Sequence, residues 1–133
     1  MGAKSNVIDY VTIATTSNGT DFGDLTAATT LHGACSDGTK CTVTGGNAPS
    51  TVDTIQYINI ASLGNTTDFG NLTVAKSYVS CTSDGTKGVM GGGYVASSNV
   101  NVIEYWVMAS LGNATDFGDL AYTARDTAAM SGD

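Results

Sequence analysis

The sequence predicts an all-β fold assembled from repeats, and three observations support this prediction. A nearly identical segment with the pattern Ile-x-Tyr occurs at residues 8–14, 55–61 and 103–109. Each copy is followed by Thr-Asp-Phe-Gly-Asp/Asn-Leu, whose first aspartates are Asp21, Asp68 and Asp116, spaced 47 and then 48 residues apart. That period is typical of repeat folds such as propellers. The chain also has 17 Gly, 1 Pro and only 13% charged residues, which favours many short strands and turns.

The length of the chain predicts one repeat domain over residues 1–133. A chain of 133 residues can bury one core, but a unit of about one third of it is too small to fold alone. We predict repeats at 6–52, 53–100 and 101–133, the last of which lacks its glycine-rich strand. Each repeat is therefore expected to be stable only when it packs against its neighbours.

The second repeat illustrates how each unit gives four strands. Residues 54–62 are apolar on both faces, which predicts a strand buried on both sides between stacked sheets. Residues 63–72 carry Gly-Asn and Phe-Gly pairs and are predicted to form a hairpin or corner, followed by a short strand at 73–76. A third strand at 77–82 ends at an Asp-Gly turn, and a glycine-rich fourth strand follows at 86–94. Four short strands per unit are typical of a propeller blade.

The two ends of the chain predict an incomplete ring. The glycine-rich strand occurs twice, at 39–46 and 86–94, whereas every other strand occurs three times. About three blades are fewer than a closed propeller needs, and open sheet edges attract partners. We therefore expect self-association, most simply a homodimer that closes a six-bladed ring by twofold symmetry. A β-trefoil or a β-prism, which closes within one chain, is the alternative.

The repeated segments also resemble a known group of proteins. Ile-x-Tyr-x-x-Ile-Ala, Gly-Asn-x-Thr-Asp-Phe-Gly-Asp-Leu and Gly-Val-Met-Gly-Gly-Gly-Tyr are similar to kelch-like β-propeller repeats of phage virion and tail-fibre proteins. The resemblance covers almost the whole chain. It implies a propeller located on a virion or an extracellular surface, with a glycan or a virion protein as its partner.

Two non-enzymatic functions follow as hypotheses. The first is a binding module that recognises a glycan or a protein through loop residues, namely Asn65, Asp68, Asn113, Asp116, Tyr78, Tyr94 and Tyr122. The second is a purely structural knob or spacer that docks through an open sheet edge by strand addition.

Composition argues against several other classes. A net charge of −7 opposes binding to nucleic acid, and no apolar run is long enough to cross a membrane. His32 is the single histidine, so no catalytic triad, zinc site or cofactor site is expected. The repeated aspartates could offer oxygens to Ca²⁺, but Asn71 replaces one of them, which favours a role in the turn.

Two repeated columns of residues are expected to pack between repeats. Phenylalanines recur at 22, 69 and 117, where we predict contacts between neighbouring units. Asp9, Gln56 and Glu104 form a polar column between apolar neighbours, which predicts pairing with Lys and Ser of the next unit or the lining of a channel.

Overall fold

The computed structural model describes residues 3–132 and shows an all-β chain, as the sequence predicts. The strands are β1 (Ser5–Tyr10), β2 (Thr20–Thr29), β3 (Gly33–Ser36), β4 (Lys40–Thr44), β5 (Asn47–Ala48), β6 (Ser50–Thr51), β7 (Thr54–Asn59), β8 (Thr67–Asn71), β9 (Ser80–Ser83), β10 (Lys87–Gly91), β11 (Tyr94–Val95), β12 (Ser98–Val107) and β13 (Thr115–Ala124). Within residues 3–132 no sheet closes into a barrel.

Three antiparallel units follow one another along the chain. Strands β1 and β2 form the N-terminal hairpin, β3-β4-β7-β8 form the middle sheet, and β9-β10-β12-β13 form the C-terminal sheet, to which β11 adds a short edge. Strands β5 and β6 form a small hairpin of their own. The middle sheet takes β3 and β4 from the first sequence repeat and β7 and β8 from the second. Sheets and sequence units are therefore out of phase by half a unit.

A β-bulge recurs at one point in each unit. The register of the last strand pair shifts after Ile8 in the hairpin, after Ile55 in the middle sheet and after Ile103 in the C-terminal sheet. A bulge turns the strand and redirects the side chain that follows it. The residues that follow are Asp9 and its equivalents in the polar column.

The main core lies between the middle and C-terminal sheets. Ile55, Phe69 and Leu72 of the middle sheet pack against Met90 and Trp106 of the C-terminal sheet, and all five side chains are buried. Burial of this apolar surface removes it from water and holds the two sheets face to face.

The edge strands β3 of the middle sheet and β9 of the C-terminal sheet lie against each other. Gly33 of β3 faces Cys81 of β9, where an added Cβ would sit 2.5 Å from the Cys81 sulfur. A backbone ladder continues this seam, since Tyr78 N donates to Leu31 O at 2.9 Å and Asp126 N donates to Tyr78 O at 3.2 Å. Leu31, Tyr78 and Asp126 all have left-handed backbones, with φ between 54° and 63°.

The structure corrects two predictions for residues 63–76. Residues 63–72 are not a turn throughout, because Thr67–Asn71 form strand β8. Gly70 lies within this strand. Its lack of a side chain allows a neighbouring loop to approach closely and does not serve a tight turn. The predicted strand at 73–76 is absent, and Thr73 N instead donates to the Glu104 side chain of the next sheet.

Candidate assembly interface

Successive units meet at two interfaces that use the same backbone contacts. The first interface joins the N-terminal hairpin to the middle sheet, and the second joins the middle sheet to the C-terminal sheet. Gly64 N donates to Phe22 O at 2.8 Å in the first, and Gly112 N donates to Phe69 O at 2.9 Å in the second. The loop before the last strand of one unit thus clamps the last strand of the unit before it.

Glycines in the clamped strands make room for this loop. A Cβ on Gly23 would overlap the Gly64 carbonyl, and a Cβ on Gly70 would overlap the Gly112 carbonyl. Both glycines also have φ near +150°, which side chains rarely allow. The repeated Phe-Gly pair is therefore a requirement of inter-sheet packing.

Asn65 and Asn113, which the sequence analysis names as binding residues, hydrogen-bond to the backbone of the preceding unit. Asn65 Oδ1 accepts a hydrogen bond from Asp24 N at 2.9 Å, and Asn113 Oδ1 accepts one from Asn71 N at 3.0 Å. Each amide satisfies an edge N–H that would otherwise need water or another strand. Sequence reasoning recognised these residues but could not see which backbone they reach.

Gln56 is the buried polar residue of the first interface. Its Oε1 accepts from Thr26 N at 3.0 Å, from Thr26 Oγ1 at 3.1 Å and from Thr66 Oγ1 at 2.5 Å. The amide oxygen thereby ties the last strand of the hairpin to the middle sheet.

Glu104 occupies the equivalent position in the second interface. Its Oε1 accepts from Thr73 N at 2.9 Å and also from Thr73 Oγ1, while its Oε2 lies 2.6 Å from Lys76 Nζ. The side chains of Lys76 and Glu104 are only 2% and 0% exposed. The predicted lysine partner is present, but it belongs to the preceding sheet, and threonine takes the place of serine.

The remaining predicted site residues do not converge on one site. Asp68 lies exposed on β8, and Asp116 lies exposed on β13, where its Oδ1 accepts from Gly118 N at 3.1 Å. Tyr122 is 72% exposed on the outer face of the C-terminal sheet.

Tyr78 and Tyr94 form a separate cluster that includes a residue missed by sequence reasoning. The two rings meet edge to face, with centroids 5.9 Å apart. The Arg125 guanidinium lies 5.1 Å from the Tyr78 centroid and 4.7 Å from that of Tyr94. Such cation–π contacts cover the aromatic faces that a ligand would stack on. Arg125 is the single arginine of the chain, which is the signal that could have drawn attention to it.

A cleft lies on the outer face of the C-terminal sheet. It has a volume of about 330 Å³ and is lined by residues that include Val89, Ile103, Leu120, Ala121 and Tyr122. Two smaller clefts of about 130 Å³ each lie at equivalent loops, beside Asn65 and beside Asn113.

The two end units expose apolar residues whose equivalents at the second interface are buried. Phe22 and Phe69 are 8% and 2% exposed beneath the following unit, whereas Phe117 is 59% exposed. On the N-terminal hairpin, Val11 and Ile13 are 54% and 98% exposed. The predicted packing of phenylalanine between units therefore holds at two of three positions.

The cysteines lie partly buried in strands and form no disulfide. Burial raises the pKa of Cys81 to about 12, with the neighbouring Cys35 as a second cause. Burial likewise raises the pKa values of Cys35 and Cys41. The Cys81 thiol lies in the seam between β3 and β9, where it is protonated at neutral pH.

Comparison with known proteins adds no identification. No protein-family model matches the chain, and no curated protein matches it. Residues 3–132 contain no group of three or more His, Cys, Asp or Glu side chains that could hold a metal ion. No helix in the described part of the chain is long and apolar enough to cross a membrane.

Proposed function

We propose that the protein is a non-enzymatic structural module of the β-propeller type, in which the successive sheets act as blades. Its role is to provide a rigid stack whose outer faces join it to further sheets of an assembly on a virion or an extracellular surface. The observation that carries this proposal is the recurrence of one set of inter-sheet contacts at two consecutive interfaces.

The chemistry of the interfaces supports a structural role. The loop asparagines at 65 and 113 bind the backbone of the preceding sheet, and Gln56 and Glu104 bind buried or strand-edge groups of the same sheet. Buried polar groups that are fully hydrogen-bonded specify one packing arrangement between surfaces that apolar contact alone would leave free to slide. The acceptor oxygens of these side chains are thus engaged by contacts between sheets.

Small-angle X-ray scattering and cryo-electron microscopy of the purified protein test the blade arrangement. We expect sheets that fan out around a common centre, with β3 and β9 innermost because these strands lie against each other. Sheets stacked in a straight sandwich, without a common centre, would contradict the propeller.

Recognition of a glycan is a second candidate, favoured by Tyr122. This ring is 72% exposed beside the 330 Å³ cleft, an arrangement suited to stacking on a sugar. A glycan-array screen of the wild type and of Tyr122→Ala tests it. Binding that the substitution abolishes would support glycan recognition, and an array without hits would argue against it.

A further inference from the structure

We infer that the N-terminal hairpin of a second copy of this chain docks on the outer face of the C-terminal sheet. This inference rests on the proposed structural role and names the partner of its exposed faces. Each end of the described chain reproduces one half of an interface that the chain itself forms twice.

Gly118 shows the vacant half most directly. At the equivalent positions Gly23 and Gly70, the carbonyls of Gly64 and Gly112 fill the space where a Cβ would be. At Gly118 no non-neighbouring atom of residues 3–132 lies within 4 Å of such a Cβ, although the backbone has a similar, unusual φ of +143°. The strand is thus shaped to receive a loop that the chain does not supply at this position.

The outer cleft is the second part of the vacant half. In the middle sheet, Ile55 and Leu72 contribute to the slot that receives Trp106 and Met90 of the next sheet. In the C-terminal sheet, the equivalents Ile103 and Leu120 line the cleft of about 330 Å³. The same apolar slot is therefore present and lacks the side chains that fill it one unit earlier.

The loop between β1 and β2 of the N-terminal hairpin carries the complementary half. Val11 and Ile13 occupy the sequence positions of Trp106 and Met108, which are each 1% exposed at the second interface. On the hairpin these positions are 54% and 98% exposed. Their burial against the cleft would remove apolar surface from water at both ends of the module.

Polar groups at the two ends match as well. Asn18 is equivalent to Asn65 and Asn113, and in the same geometry its amide oxygen would accept from Asp119 N. Asp9 is equivalent to Glu104, and its carboxylate would accept from the N–H of Ala121, which takes the place of Thr73. Strand β13 has no strand on its other edge among residues 3–132, so this edge is open to the contact.

The occupant is a second copy because the two faces complement each other and differ from each other. We call the exposed side of the N-terminal hairpin the head of the chain and the outer face of the C-terminal sheet its tail. A contact between the head of one chain and the tail of the next is heterologous, and it closes into a ring when the rotation between copies allows it. Two copies placed head to tail would alternate their sheets around one centre. We therefore expect a dimer of twice the 13.5 kDa chain mass.

The experiment is sedimentation velocity of the full chain over a concentration series, with one variant for each face. Val11→Asp alters the head, and Phe117→Asp alters the tail. Both side chains are exposed within the chain, at 54% and 59%, so the variants should fold, and far-UV circular dichroism checks that they do. We expect a wild-type dimer. Each variant should raise the dissociation constant of the dimer by at least about tenfold, which corresponds to roughly 1.4 kcal/mol.

Mixing the two variants identifies the geometry. A Val11→Asp chain keeps its tail and a Phe117→Asp chain keeps its head, so the mixture can form one native junction and should recover a dimer. Leu63→Asp is the matched control, since Leu63 is 64% exposed on the β7–β8 loop and away from both end faces, and its mass should equal that of the wild type.

Three outcomes would overturn the inference. These are a wild type that stays monomeric at its highest soluble concentration, a dimer that neither variant weakens, and a mixture that stays monomeric. A monomer whose sheets still fan around a centre would leave the structural role standing and would reject the second copy as its partner.

Discussion

The first and second interfaces solve one packing problem with different side chains. Gln56 places a neutral amide at the first interface, where the position equivalent to Lys76 is Thr29. Glu104 places a carboxylate at the second, and Lys76 neutralises it at 2.6 Å. Charge has thus been added to the second interface as a pair, because a lone buried charge would be costly.

The two interfaces also differ in how they pair side chains of different size. Gly88 lies opposite Trp106 in the C-terminal sheet, whereas the equivalent pair in the middle sheet is Cys41 and Ile58. A Cβ on Gly88 would overlap the Trp106 indole. One interface therefore combines a very large with a very small residue, and the other combines two of intermediate size. The backbone arrangement is fixed by the loops and bulges, and the side chains have adjusted in compensating pairs.

Removal of one half of the ion pair should have the largest effect. Lys76→Thr copies the first interface but leaves Glu104 buried without its cation, which should lower the free energy of unfolding by about 3–5 kcal/mol. Urea unfolding at neutral pH measures the loss.

The double variant Lys76→Thr with Glu104→Gln is the matched control. It transplants the neutral pair of the first interface into the second, so we expect it to recover most of the lost stability. Equal stability of the wild type and the single variant, or no recovery in the double variant, would contradict the equivalence of the two interfaces.

The next largest effect should come from filling the space at Gly88. Gly88→Cys introduces the residue of the first interface beneath Trp106, and the overlap should destabilise the fold by about 1–3 kcal/mol. Adding Trp106→Ile completes the exchange and should restore part of the loss. Thermal unfolding of the wild type and both variants distinguishes this size compensation from a general intolerance of side chains at position 88.

Local patterns in the sequence carried the all-β prediction and the polar column, because strand alternation and repeated segments depend on neighbouring residues. The reason for a glycine at position 70 could not be predicted from the sequence. A glycine beside phenylalanine has the same local signature whether it permits a turn or the approach of another backbone. The backbone partner of Asn65 could not be predicted for a related reason, since an exposed amide in a loop has the same local signature whether it faces a ligand or a neighbouring strand. Both features concern contacts between units far apart in the chain.

Loss of the neutral acceptor at the first interface should have a moderate effect. Gln56→Leu keeps the volume but removes the acceptor of the Thr26 N–H and leaves the buried Thr66 hydroxyl only its longer bond to Asp24 O, which should cost about 1–3 kcal/mol. Asn59→Leu is the control, because Asn59 lies on the same strand with an exposed amide and should change stability little. A cost at position 56 no greater than that at position 59 would show that the amide adds nothing to apolar packing.

Cys81, which lies between β3 and β9 at the second interface, should have the smallest effect on stability near neutral pH. This effect should grow as the pH rises. Ala34 holds the equivalent position in the middle sheet and is exposed, whereas Cys81 is partly buried against β3. The unfolded thiol ionises near its ordinary pKa of 9.0 and the folded thiol only near 12, so the unfolded state releases its proton first. Stability from this group is complete below pH 9 and should fall by at most about 1.4 kcal/mol per pH unit as the pH rises toward 12. Urea unfolding across this range should show a shallower decline in Cys81→Ala than in the wild type. An identical decline in both proteins would mean that the thiol ionises as easily folded as unfolded, and that the seam between β3 and β9 is open to water.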